Sequence, residues 1–180
     1  MTIRPADPER DAAACAAIYA PSVESTPISF EEVPPDAAEF AARIARYSAA
    51  HQFLVAEVDG EVAGYAYACR WADRPAYRWS VETSVYVDAR RHGEGVGRAL
   101  YAELFARLRA QGFRIAVAGV TLPNPASIGL HESMGFEPAG ALRDIGWKAG
   151  SWRDVGYWQL YLQPLGEGTP AEPLPPRPAA

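Results

Sequence analysis

The stretch Val85-Tyr86-Val87-Asp88-Ala89-Arg90-Arg91-His92-Gly93-Glu94-Gly95-Val96-Gly97-Arg98-Ala99-Leu100 decides the fold. It reads as a β-strand running into a glycine-rich turn that opens a long helix. Glycines let a backbone approach a ligand closely, and a helix N-terminus presents unpaired N–H groups with partial positive charge. The turn is therefore expected to grip an anion, the pyrophosphate of a nucleotide-containing cofactor. A P-loop needs G-x-x-x-x-G-K-S/T, and the single lysine, Lys148, lies far from any such pattern. A dinucleotide fingerprint needs G-x-G-x-x-G, but Leu100 follows Gly95 and Gly97 where the third glycine belongs. A plain strand–helix turn requires fewer glycines than alternate here at 93, 95 and 97.

Downstream, Val96, Leu100, Leu104 and Leu108 recur at intervals of four and predict a helix from about Gly95 to Gln111, stopped by Gly112. Phe113 to Val120 reads as a buried strand. Asn124-Pro125 starts a short helix through Met134, and Phe136–Lys148 and Trp152–Leu162 read as two final strands. Upstream, Val81–Asp88 is a strand preceded by an arginine- and aromatic-rich loop, Trp71 to Trp79. Phe53–Val58 and Glu61–Arg70 form a hairpin about Asp59-Gly60. Pro8–Tyr19 and Asp36–Tyr47 read as helices joined by a proline-punctuated connection, Pro21 to Pro35, and Thr2–Arg4 is a short first strand. The order β-α-α-β-β-β-α-β-α-β-β predicts an α/β (α+β) domain over residues 1–163 with a mixed central sheet. Residues 164–180, rich in proline, are expected to be disordered.

At 180 residues the chain suits one domain, and 49% hydrophobic with 22% charged residues is ordinary for a globular protein. A net charge of −5 without a dense basic run argues against a nucleic-acid partner. No apolar run approaches membrane-spanning length, and the N-terminus lacks a signal-peptide pattern, so a cytoplasmic location is expected. Cys15 and Cys69 sit in neither a C-x-x-C nor a zinc-ligand spacing; they read as free thiols, and no metal is expected.

The glycine turn resembles motif A of the GNAT N-acetyltransferases: a strand, then Gln or Arg, two residues, Gly, one residue, and Gly or Ala. Arg90-x-x-Gly93-x-Gly95 fits literally. His92-x-x-Gly95-x-Gly97 is the preferred register, because it also aligns Val96 and Leu100 with the family's R-G-x-G-I-G-x-x-L. His92 then stands where the family has Gln or Arg. The resemblance implies the GNAT fold, with helices on both faces of the sheet, and acetyl-CoA as cosubstrate. It implies that main-chain groups of Val85, Tyr86 and Val87 meet the pantetheine arm. His92, Gly93, Glu94, Gly95, Val96, Gly97 and Arg98 would surround the pyrophosphate. Leu122-Pro123-Asn124-Pro125-Ala126-Ser127 resembles motif B, so Asn124 and Ser127 are cofactor-binding candidates, and His131 occupies the family's tyrosine position. A closer resemblance, to phosphinothricin and methionine sulfoximine N-acetyltransferases, spans the chain up to residue 162. It is carried by Tyr77-Arg78-Trp79-Ser80-Val81-Glu82-Thr83-Ser84 and by Gly146-Trp147-Lys148-Ala149-Gly150-Ser151-Trp152-Arg153-Asp154, among other segments.

The implied activity is direct transfer of acetyl from acetyl-CoA to the amine of a small amino-acid-like substrate. Alternatives are another small amine, a peptide N-terminus, or a non-catalytic acyl-CoA sensor. An amine must lose a proton before it attacks a thioester, and a positioned carboxylate can take it, directly or through water. Glu82 alone reads as a surface carboxylate on a strand; the closer resemblance makes it the general base. Three positions before Val85, its side chain is expected on the opposite face. His131 is the second catalytic candidate, as acid or base, although a lone helical histidine also reads as structural. Arg74 and Arg78, flanked by Tyr77 and Trp79, are candidates for binding an acceptor carboxylate. For Arg74 a solvated arginine loop is an equal reading. Phe30 reads as a core anchor or as pocket lining. The closer resemblance also implies a homodimer, for which Trp147, Trp152 and Trp158 offer apolar surface unless they are core.

Overall fold

Residues 1–176 are described by a computed structural model. In chain order the elements are β1 (Thr2–Pro5), α1 (Pro8–Glu24), α2 (Ala37–Ser48), β2 (Phe53–Val58), β3 (Glu61–Arg70), β4 (Ser80–Val87), α3 (Val96–Gln111), β5 (Ile115–Thr121), α4 (Pro125–Ser133), β6 (Glu137–Lys148) and β7 (Ser151–Tyr161). Short 3₁₀ turns lie at Pro75–Tyr77 and Ala89–Arg91. The order matches the sequence expectation.

The strands form one seven-stranded sheet, β1-β2-β3-β4-β5-β7-β6. Only β4 and β5 run parallel; the other neighbours are antiparallel. Alternation along β2 and β3 divides the core in two. Leu54, Ala56, Ala66 and Ala68 face Leu100, Leu104, Phe105 and Leu108 of α3. Phe53, Val55 and Tyr65 face Cys15, Tyr19, Phe40 and Ile44 of α1 and α2. The sheet therefore has helices on both faces, and Phe53–Ala56 of β2 are apolar and buried in succession because both sides of the strand are covered there.

One helix departs from expectation. α1 continues past Tyr19 to Glu24 with Pro21 inside it. A proline forfeits one N–H, but its carbonyl still accepts from Ser25 N at 3.0 Å, and the last turn buries Val23 in the core. Burial of Val23 outweighs the lost bond.

The feature that positions the site is the parting of β4 and β5. They pair only over Ser80–Glu82 against Ile115–Val117. Beyond that, β4 stays with β3 as far as Val87 and β5 stays with β7 as far as Thr121, so a cleft opens between them.

The proline-rich tail, expected to be disordered, forms no helix or strand from residue 164 to 176. It is nevertheless fastened to the domain. Arg114 donates to Pro164 O at 2.8 Å, and the Trp79 indole donates to Ala171 O at 2.8 Å. Glu172 pairs with Arg78. Leu174 N donates to Gln111 O at 2.7 Å, and Gln111 Nε2 donates back to Leu174 O at 2.8 Å. Prolines remove donors and leave carbonyl acceptors, which suits a segment bound by side-chain donors. Residues 177–180 of that expectation lie outside the described residues. No helix among the described residues is long and apolar enough to cross a membrane.

A chain ending at Gln163 strips these acceptors from Gln111 and Trp79. It should lose about 1–2 kcal/mol of stability, read by urea denaturation against the full chain.

Candidate active site

Helices α1, α2 and α4 begin on side-chain caps, with Asp7, Asp36 and Asn124 accepting from N–H groups of their first turns. α3 does not. Its N-cap is Gly95, in the left-handed region at φ 79°, with no side-chain cap and no acidic residue in the first turn. The first bond within the helix is Ala99 N to Gly95 O at 3.0 Å, so the N–H groups of Val96, Gly97 and Arg98 have no carbonyl four residues before them in the helix. Gly93, at φ 81°, turns the chain the same way, and any L side chain at either position is strained. Gly97 answers a different need: a β-carbon there would stand 3.2 Å from Leu130 Cδ2 and 3.5 Å from Val87 Cγ2.

The flanking residues brace this turn. Asp88 accepts from the Arg90 N–H at 2.9 Å and from its guanidinium, which holds the Asp88 carboxyl at about 2. His92 Nε2 donates to Val87 O at 3.1 Å, so its ring closes the turn onto the end of β4. Glu94 is exposed and lies 3.6 Å from Arg91. Arg98 donates to Ser133 O at 3.3 Å, which draws its side chain toward the end of α4. Beyond Glu82 the edge of β4 facing β5, at Val85, Tyr86 and Val87, has no strand partner. The side chains of Val85 and Val87 pack into the α3 side of the core, and Tyr86 stacks on Tyr65 on the other side. An uncapped helix N-terminus, left-handed glycines and an unpaired strand edge suit a pyrophosphate with an extended amide-bearing arm. The residues present fit acetyl-CoA.

Glu82 lies where β4 and β5 part, on the face opposite Val85. Its carboxylate oxygen is 3.7 Å from the β-carbon position of Gly119 on β5, and a ring carbon of Tyr157 on β7 is 3.4 Å from the same point. Gly119 is exposed in mid-strand, so the space above it is open. Among the described residues Glu82 has neither an ion pair nor a hydrogen bond from a side chain, and burial pushes its carboxyl up. Its cross-strand neighbour Cys69 is pushed up to about 12 by burial and then by the Glu82 charge. The site thus holds a half-buried, unpaired carboxylate and no thiolate.

His131 has both nitrogens committed. The Ser127 carbonyl can only accept, so Nδ1 carries the proton and donates to it at 2.7 Å. Nε2 then accepts from the Tyr101 hydroxyl at 2.9 Å. Burial lowers the pKa of His131 more than the Ser127 bond raises it, so the ring is neutral. The arrangement ties α4 to α3 and leaves no free nitrogen for the cleft. Asn124 Oδ1 is likewise occupied, accepting from Ser127 N at 3.1 Å as the cap of α4.

Residues 5–156 match the acetyltransferase (GNAT) domain family. The chain belongs to the GNAT family. It is 42% identical over 178 residues to the phosphinothricin N-acetyltransferase of Streptomyces viridochromogenes, covering 99% of this chain and 94% of that protein. It is 41% identical to the L-methionine sulfoximine/L-methionine sulfone acetyltransferase of Pseudomonas paraeruginosa, covering 82% of this chain and 87% of that protein. The crystal structure of a GNAT phosphinothricin acetyltransferase from Sinorhizobium meliloti with acetyl-CoA superposes with a TM-score of 0.85 at 39% identity, covering 96% of this chain and 92% of that one. The protein is an acetyl-CoA-dependent N-acetyltransferase.

The acceptor-side candidates of this GNAT enzyme separate into two groups. Tyr77 lines a cavity beside Glu82 with Trp71 and Tyr157. Arg78 and Trp79 are instead taken up by the tail: Arg78 pairs with Glu172 and lies 4.8 Å over the Trp79 ring, whose indole N–H is bonded to Ala171. Arg74 is exposed at the start of the 3₁₀ turn that carries Tyr77. Phe30 is 38% exposed and lies flat against Gly146 of β6, where a β-carbon would fall within 2.7 Å of three ring atoms. Its loop is fixed by Thr121 Oγ1 donating to Ile28 O at 3.0 Å and by Tyr19 bonding Ser29 at 2.6 Å. Sequence reasoning missed Tyr101, Gly119 and Tyr157. The register of β5 on β7, which sets Gly119 opposite Tyr157, would have found the last two. Nothing local marks Tyr101, which sits beside Leu100 in an ordinary helical stripe.

Tyr101→Phe leaves the buried Nε2 of His131 without a donor. It should cost about 1–3 kcal/mol in urea denaturation.

Proposed function

We propose that this GNAT enzyme acetylates the α-amine of amino-acid analogues of the phosphinothricin and methionine sulfoximine type, as a cytoplasmic homodimer. The observation that carries the reading is Glu82, an unpaired, half-buried carboxylate at the mouth of the β4–β5 cleft and beside open space over Gly119. The named activities of the relatives at 42% and 41% identity support the acceptor class.

Bound acetyl-CoA supplies an activated acetyl thioester. The glycine turn and the first N–H groups of α3 hold its pyrophosphate, and the unpaired edge of β4 aligns its arm. Glu82 takes the proton from the acceptor's ammonium, directly or through water, and so frees the nitrogen lone pair for attack. Its raised pKa brings it nearer the pH at which the amine is worked on, which favours base catalysis. His131, neutral and bonded to Tyr101, keeps α4 and its cap Asn124 in place beside the cleft. Arg74 is the arginine of the acceptor loop left open to a substrate carboxylate.

The dimer reading rests on the outer strands. β6 lies at the sheet edge, and Leu142, Ile145, Trp147 and Trp152 are exposed on the β6–β7 ribbon. An edge strand with exposed apolar side chains is a template for association.

Thiol release from acetyl-CoA should be seen with phosphinothricin and methionine sulfone. Turnover only with a peptide or an unrelated amine would replace the acceptor class; binding of acetyl-CoA without turnover would favour a sensor. Because burial raises the Glu82 carboxyl, the base is protonated on the acid side, and kcat/KM should climb with pH as Glu82 ionises. Glu82→Gln should remove that limb and lower turnover by about 10²–10⁴-fold, with acetyl-CoA affinity unchanged by calorimetry. Trp152→Glu should sediment as a monomer where the parent sediments as a dimer.

A further inference from the structure

Residues 71–79 join β3 to β4 and carry Tyr77 to the cavity beside Glu82. The bonds of the 3₁₀ turn close the loop on itself without fixing it to the domain. Tyr77 N donates to Arg74 O at 3.0 Å and Arg78 N to Pro75 O at 3.1 Å, and Arg78 Nε also donates to Pro75 O at 2.7 Å. The two ends of the loop are held by the sheet: Trp71 meets Tyr157 edge-to-face at 5.8 Å, and Trp79 O accepts from Arg114 N at 2.9 Å. Between them the support is different. Among the described residues, every hydrogen bond or ion pair that side chains from Arg74 to Trp79 make outside the loop goes to the C-terminal segment. Arg78 pairs with Glu172, and the Trp79 indole donates to Ala171 O at 2.8 Å. The Arg78 guanidinium lies 4.8 Å over the Trp79 ring, so the two side chains are held as one unit.

The C-terminal segment is itself fixed firmly enough to act as a support. Leu174, two residues beyond Glu172, exchanges two hydrogen bonds with Gln111. Gln111 is buried, accepts from Gln52 Nε2 at 2.7 Å and donates to Ala50 O at 3.2 Å. Pro173 Cα lies 3.7 Å from the β-carbon position of Gly112, and Arg114 holds the other end of the segment at Pro164 O. An isolated exposed ion pair biases an equilibrium by about fivefold at most. Two contacts offered by a backbone already ordered on both sides act together, because little further freedom is lost in making them.

We propose that residues 164–174 are a positioning element of the enzyme: Glu172 and the Ala171 carbonyl hold Arg78 and Trp79, and so keep the loop that bears Arg74 and Tyr77 in the form that binds the acceptor. The inference rests on the acetyltransferase reading above. The glycine turn lies at the opposite end of β4, ~23 Å along the strand, so the effect falls on the acceptor and spares acetyl-CoA. A loop that leaves its competent form weakens acceptor binding by the fraction lost, while saturating acceptor draws it back.

Steady-state kinetics with methionine sulfone and acetyl-CoA test it. In a chain ending at Gln163 the acceptor KM should rise about fivefold or more, with kcat within about twofold and acetyl-CoA affinity unchanged by calorimetry. Glu172→Gln should raise the acceptor KM about two- to fivefold, and added salt should raise the parent's KM more than that of this variant, since an exposed ion pair is screened. Glu172→Arg and Arg78→Glu should each raise the KM, and the double variant should return it toward the parent value. That rescue stands even if the shortened chain fails to fold. An acceptor KM unmoved by both charge reversals overturns the proposal. A lowered KM also overturns it, because Glu172 would then be competing with the acceptor's carboxylate for Arg78. Hydrogen exchange at the loop amides and the Trp79 indole, read by NMR, requires no turnover. Faster exchange in Glu172→Arg, with no acetylation by the parent, supports the hold on the loop and defeats the acceptor chemistry assigned to Glu82. Unchanged exchange overturns the proposal and leaves the acetyltransferase reading intact.

Discussion

The structure depends on a parallel strand pair that stops early. β4 and β5 share only the register Ser80–Glu82 against Ile115–Val117, yet each runs on with its other neighbour. Backbone donors and acceptors left along the two facing edges require partners, and an extended amide-bearing ligand is a chemically matched one. The cleft is kept open from below. Val85 and Val87 pack toward Gly97, where a β-carbon would stand 3.2 Å from Leu130 Cδ2 of α4.

The parting of the strands also sorts charge along β4. At its end lies the bare N-terminus of α3, the one long helix in the described chain without a capping side chain or an acidic first turn. Five residues before that end, at Glu82, lies a carboxylate with no compensating cation. The same strand therefore attracts anion at one point and proton at another. Pleating keeps the functions apart, since residues 82 and 85 face opposite sides of the sheet.

Much of this was legible because local chemistry decides it. Asp7, Asp36 and Asn124 were readable as caps, the Asp59-Gly60 hairpin as a turn, and the face of Glu82 from strand parity. The features that escaped depend on distance in sequence. The end of α1 was misplaced because the burial of Val23 outweighs Pro21, and burial is not written in a local window. Tyr101, which bonds the second nitrogen of His131, lies 30 residues away in another helix. Glu172, which pairs with Arg78, lies 94 residues on. Proline content suggested a free tail, because composition reports missing donors and says nothing of carbonyls that other side chains can reach.

The tail contacts have a bearing on how such domains can be recombined. Residues 71–79 and 163–174 behave as two halves of one part: the first carries Tyr77 to the cavity, and the second clamps its neighbours Arg78 and Trp79 to the end of α3. Replacing the loop while keeping the resident C-terminus would part Glu172 and Ala171 from the Arg78 and Trp79 to which they are bonded. Loop and terminus form a cassette, to be exchanged together when acceptor preference is re-engineered.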